Sequence, residues 1–152
     1  MNLEESNHKG RQLLIKLLRS GETTDVTASG LSMFPFLLPT DVLRVKPVSP
    51  QSLKRGEIII YELNHKIISH RYIKNSGGSI ICKGDGLIHY DTPVSEENLL
   101  GVVIARIRKG RIRSLTSTTT RGGGYLLSWL TGVTGIFFHY ASFAWHKWIY
   151  NS

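Results

Sequence analysis

The chain has 152 residues, 41% of them apolar, enough for one buried core with an appended segment. Its 19 Lys and Arg against 11 Asp and Glu leave a net charge of +8, which favours an anionic neighbour: a membrane surface, nucleic acid or an acidic peptide. A single cysteine, Cys82, excludes a disulfide framework and a multi-cysteine zinc site, and six histidines without HExxH spacing leave no metal or other cofactor expected.

Residues 3–20 read as an amphipathic helix, with Leu13, Leu14, Leu17 and Leu18 on one face and Arg11, Lys16 and Arg19 elsewhere. Ser20-Gly21 ends it. Its leucines pack on the domain, or its basic side lies on a membrane surface. Glu4 and Glu5 occupy the place of a basic signal-peptide n-region, and Lys16 and Arg19 interrupt the leucine run, so the chain is expected to start in the cytoplasm.

From Thr23 the pattern turns to β. Residues 24–28 form a short strand, and Gly30-Leu31-Ser32-Met33-Phe34-Pro35-Phe36 follows, where two prolines within five residues (Pro35, Pro39) forbid a regular helix. Val42 to Lys46 alternates as a half-buried strand, and Ile58-Ile59-Ile60-Tyr61 is a β-branched core strand. Asn64-His65 is a hairpin turn into a strand over 66–73, and Gly77-Gly78 leads to another at 79–82. Lys83-Gly84-Asp85-Gly86 is a tight loop, and 99–107 a last long strand. The pattern predicts a mainly β fold over 23–114 after an N-terminal helix at 1–22.

Residues 106–121 hold six Arg and Lys and no acid, and 115–124 read as a Ser/Thr/Gly linker. Tyr125 to Trp145 carries no charged side chain over about the length that crosses a bilayer, and Trp145, Trp148 and Tyr150 resemble an interfacial belt. Residues 125–150 are therefore expected to form an apolar helix associated with the membrane, as a span, at the interface or folded on the domain.

For chemistry, Ser32 lies on stiff backbone where a nucleophile could sit, and it needs a base. His70, at the end of an apolar strand, is the best candidate. Asp85 and Asp91 lie in downstream loops, and either could accept from the second ring nitrogen. Taken singly, each is weak: a strand histidine is most often structural, and Asp85 between glycines is by default a turn residue.

The order of four boxes is more specific. Ser32-Met33-Phe34-Pro35, Gly56-Glu57-Ile58-Ile59-Ile60, Ser69-His70-Arg71-Tyr72-Ile73 and Lys83-Gly84-Asp85-Gly86 with Asp91 resemble the signal peptidase I superfamily in its endoplasmic-reticulum and archaeal Ser-His type. The resemblance covers about 24–105. It implies a serine endopeptidase with Ser32 as nucleophile, His70 as general base, Asp91 orienting His70, Asp85 as a supporting acid and Met33 flanking the substrate groove. The substrate would be a precursor bound as an extended strand, with small side chains at P1 and P3.

Three positions depart from the family pattern. Glu57 replaces an aspartate, Gly30 stands where many relatives have a serine that helps hold the oxyanion, and the amphipathic helix and the C-terminal apolar segment are expected to stand in place of the usual N-terminal anchor. With Gly30 there, the Ser32 N–H is the expected oxyanion donor. The resemblance implies work on the far side of the cytoplasmic membrane, whereas basic residues 106–121 would hold the domain on the cytoplasmic side, so the side of the membrane is left open. The alternative function is a non-catalytic or self-cleaving regulatory module of the same fold, docked on a membrane or another anionic partner. Only one helix fits before residue 23, which disfavours a helix-turn-helix and hence nucleic acid as the partner. The sequence carries no sign of oligomeric state.

Overall fold

The computed structural model describes residues 3–126. Helix α1 (Leu3–Arg19) leads into eight antiparallel strands: β1 (Thr24–Thr27), β2 (Val42–Lys46), β3 (Ile58–Leu63), β4 (Lys66–Ser76), β5 (Ser79–Lys83), β6 (Val94–Ser95), β7 (Leu99–Arg108) and β8 (Arg111–Ser114). They form one sheet in the order β1-β2-β7-β3-β4-β5-β6, with β8 paired to β7. A C-terminal helix covers 118–126. The architecture is mainly β, with one helix at each end of the described chain.

Two-residue hairpins set the registers around the site. Asn64 and His65 take positive φ of 49° and 59°, the twist that suits a tight antiparallel turn, and pair Ile58 with Arg71, Ile59 with His70 and Ile60 with Ser69. Gly77 and Gly78 do the same between β4 and β5. The run Ile58-Ile59-Ile60-Tyr61 is buried on both faces of the sheet. Ile58 and Ile60 join Leu14, Leu18, Met33, Leu37, Leu43 and Val103 in one cluster. Ile59 and Tyr61 join Tyr72, Ile80, Cys82 and Val94 in a second. Burial pushes the Cys82 thiol up to about 12, so it stays protonated and inert as a nucleophile at neutral pH.

Helix α1 packs differently from the four-leucine face expected. Leu14 and Leu18, one turn apart, are the buried pair, whereas Leu13 is 57% exposed. At ~100° per residue, Leu13 turns away once Leu14 and Leu18 face the sheet. Arg11 falls on the packed side instead, and its guanidinium is met by Glu62 of β3. Burying Leu18 contributes about 2 kcal/mol.

The linker expected at 115–124 is helical from 118, and the basic residues ahead of it belong to the sheet. Arg106 and Arg108 lie in β7, residues 111–114 form β8, and the segment from 118 onward is helical. Arg106 Nη1 donates to the Phe36 carbonyl at 2.6 Å. Arg108 donates to buried Asp41 from Nε at 2.6 Å and Nη2 at 2.7 Å, and the Leu38 N–H donates to the same carboxylate at 2.8 Å. Their partners are carbonyl and carboxylate groups of the 28–41 loop.

Burial raises the Asp41 carboxyl, but the Arg108 bonds and the Leu38 N–H outweigh it and hold the group below the usual carboxylate value. A depressed folded-state value adds stability above the unfolded pKa of ~3.9, and that stability is lost as pH falls through the folded value. The Asp41→Asn variant is therefore expected to lose about 1–3 kcal/mol at neutral pH and to show a shallower acid limb in denaturant titrations. An unchanged acid limb would refute the assignment.

Among the described residues no helix is long and apolar enough to cross a membrane. Of the apolar segment expected at 125–150, residues 127–150 lie outside them.

Candidate active site

The loop between β1 and β2 carries Ser32. Its neck is closed by the Ala28 N–H donating to the Asp41 carbonyl at 2.8 Å and the Thr40 N–H donating to the Ala28 carbonyl at 3.0 Å. Gly30 takes a φ of 86° with open space around its α-carbon. Glycine stands there for backbone conformation, and a serine would be strained. The Phe34 N–H then donates to the Leu31 carbonyl at 3.0 Å, closing a turn around Ser32.

A second loop, 83–86, fixes the Ser32 backbone. The Gly86 N–H donates to the Ser32 carbonyl at 2.8 Å. A side chain at Gly84 would place its first carbon 2.5 Å from that same oxygen. The close approach thus requires glycine in the Lys83-Gly84-Asp85-Gly86 box. Lys83 is buried, and desolvation lowers its ammonium against the pull of Asp85.

Ser32 and His70 line one cavity of ≈ 340 Å³, with Val26 to Ser29 on one wall and Ile67 to Ser69 on the other. The two walls are the end of β1 and the first half of β4. The Ser32 hydroxyl and His70 Nε2 are not hydrogen-bonded to each other, and neither is bonded to another described residue.

The other ring nitrogen is held. His70 Nδ1 lies 2.6 Å from Asp91 Oδ2, in a pair whose side chains are 8% and 14% exposed. Asp91 is brought there by its own N–H, which donates to the Cys82 carbonyl at the end of β5 at 2.9 Å. Because a carboxylate only accepts, Nδ1 carries the proton and a neutral ring keeps its lone pair on Nε2.

Tyr61 completes this group and was not foreseen. Its hydroxyl donates to Asp91 Oδ2 at 2.9 Å and lies 3.3 Å from His70 Nδ1. Burial, then the charge of Asp91, push the phenol well above its usual value, so it remains a donor. The signal available was strand alternation: Tyr61 lies two residues from Ile59, which pairs with His70.

Asp85 lies apart from His70's ring bonds. It is fully buried and takes a two-point bond from Arg71, from Nε at 2.7 Å and from Nη2. Burial is the larger influence and raises the Asp85 carboxyl against the opposing pull of Arg71. Arg71 Nη1 donates to the Gly56 carbonyl at 2.6 Å, and the guanidinium lies 4.8 Å from the Phe36 ring centroid. Arg71 thus ties β4 to both loops around Ser32.

Met33, expected on the groove rim, points into the core. It is 3% exposed within the cluster of Leu37, Leu43 and Val45 and does not line the cavity. A thioether next to a nucleophile can face either way, and the turn around Ser32 sends this one inward. Among the described residues no group of three His, Cys, Asp or Glu side chains could hold a metal ion. The arrangement offers a hydroxyl, an imidazole poised by a carboxylate, and an open cleft beside an edge strand. Comparison with protein-family models, curated proteins and solved structures finds no match to this chain.

Proposed function

We propose that the chain is a serine endopeptidase of signal peptidase type, in which His70 takes the proton of Ser32 while the hydroxyl oxygen attacks a peptide carbonyl. The observation that carries this reading is the shared cavity of Ser32 and His70 together with the Asp91 bond to the far ring nitrogen. Nδ1–H bonded to Asp91 directs the lone pair to Nε2 and stabilises the imidazolium that forms. His70 then returns the proton to the leaving amine, and a water activated by the same ring releases the acyl group from Ser32. The Ser32 N–H, which donates to no described carbonyl, serves as oxyanion donor.

The substrate lies extended beside β1. Among the described residues that strand pairs only with β2, which leaves its other edge for an added strand. The small cavity between Val26–Ser29 and Ile67–Ser69 suits a small side chain next to the scissile bond. A larger groove of ≈ 770 Å³ between α1 and β1 shares Val26, Thr27, Ser29 and Ile67 with it, and would take the continuing peptide past exposed Leu13. The uncharged 125–145 stretch and the net charge of +8 support work at a membrane surface, on a leader segment of a precursor. The test is cleavage of a reporter peptide with alanines flanking the scissile position, compared between the wild type and the Ser32→Ala and His70→Ala variants.

A further inference from the structure

Helix 118–126 is seated on the back of the site. Arg121 places its carbonyl over Gly56, so that a side-chain carbon there would come within 2.6 Å. The Arg121 guanidinium lies 3.7 Å from Glu57, and Arg55 lies 4.9 Å from the centroid of the Tyr125 ring. Gly124 lies flat on the Arg71 guanidinium, where any side chain would overlap Cζ and both terminal nitrogens. Arg71, 1% exposed, has no room to give, because its nitrogens are committed to Asp85 and the Gly56 carbonyl and its face to Phe36.

From Arg71 the contacts run to Ser32. Asp85 is the neighbour of Gly86, whose N–H holds the Ser32 carbonyl, and Phe36 belongs to the Ser32 loop itself. Arg71 also adjoins His70 on β4. Three consecutive glycines, 122 to 124, make this helix a poor one in isolation, so its helical state depends on the seat. Only Gly124 of the three is sterically required, since a side-chain carbon at Gly122 or Gly123 would meet nothing within 4 Å.

We propose that helix 118–126 is a conditional positioning element of the site, with Gly124 as the residue that holds Arg71 and, through Asp85 and Gly86, the Ser32 peptide. Docked, it locks the two loops; undocked, it releases them. This inference rests on the peptidase reading only for its kinetic consequence.

The test uses the full chain. Amide and arginine Nε–H exchange is followed by NMR in the wild type, Gly124→Ala, Gly124→Leu and the control Gly123→Ala. Substitution at Gly124 is expected to speed exchange of Arg71 Nε–H and the Gly86 amide by about tenfold, with Ile59 and Ile60 amides still protected. Gly123→Ala, which adds a helix former in open space, is expected to leave both slow or slower. Reporter-peptide cleavage should lose kcat in the Gly124 variants with KM little changed. Unaltered Arg71 and Gly86 exchange in both Gly124 variants, or the same effect from Gly123→Ala, would overturn the inference. Absence of cleavage in the wild type would sink the peptidase reading instead, and the exchange data would still decide this one.

Discussion

Alanine at Ser32 or at His70 is expected to lower reporter-peptide cleavage by about 10⁴-fold or more, with the double variant no worse than either single one. The non-additivity is the sharper part of the expectation. A nucleophile and its base act as a unit, so removing the second contributes nothing once the first is gone. Stability separates this from a folding defect. Ser32 has no side-chain bond among the described residues, so Ser32→Ala should fall within about 0.5 kcal/mol of the wild type. His70→Ala leaves Asp91 with the Tyr61 hydroxyl as its remaining partner and should cost about 1–3 kcal/mol. Cleavage retained by both single variants would end the assignment. Intact mass after long incubation extends the same experiment to the self-cleaving alternative, through loss of a fragment in the wild type but not in Ser32→Ala.

The hairpins and core strands were readable because local chemistry dictates them. Asn64-His65 and Gly77-Gly78 supply the positive φ that tight turns demand, and the β-branched run at 58–61 is buried on both faces. Strands β6 and β8 were not readable: the first is two residues long, and the second is a basic, exposed strand that exists only by pairing with β7. Arg71 carried no signal of its own, since its partners come from four separate segments, around Phe36, Gly56, Asp85 and Gly124. Tyr61 and Arg108 were hidden because their partners lie far away in sequence, at Asp91 and in the 28–41 loop. Motif order favoured Asp91 over Asp85 as the carboxylate that meets the ring but carried no distances; strand register and the return of 84–93 onto β5 bring Asp91 to Nδ1.

The two carboxylates should therefore separate by the kind of damage their loss causes. Asp85→Asn removes the charge that compensates a fully buried guanidinium, with side chains 1% and 0% exposed in the pair. Leaving such a charge unpaired costs about 3–5 kcal/mol, a large share of the ~5–15 kcal/mol that holds a domain of this size together. The expected result is a denaturation midpoint far below wild type, with activity lost in proportion to the unfolded fraction and to the loosening of the Ser32 loop. Asp91→Asn sits at a partly exposed position where Tyr61 can still bond the side chain, so its stability cost should be only about 1–2 kcal/mol. Its catalytic cost should be much larger. An amide can present its NH₂ to Nδ1, which would then accept and move the ring proton to Nε2, so that the base faces Ser32 with no lone pair. A stable, folded but inactive Asp91→Asn beside a destabilised Asp85→Asn is the expected pattern. The reverse pattern would make Asp85 the residue that orients His70 and reduce Asp91 to a loop anchor. Denaturant midpoints and kcat measured on the same preparations discriminate the two, because the alternatives predict opposite orderings in both quantities.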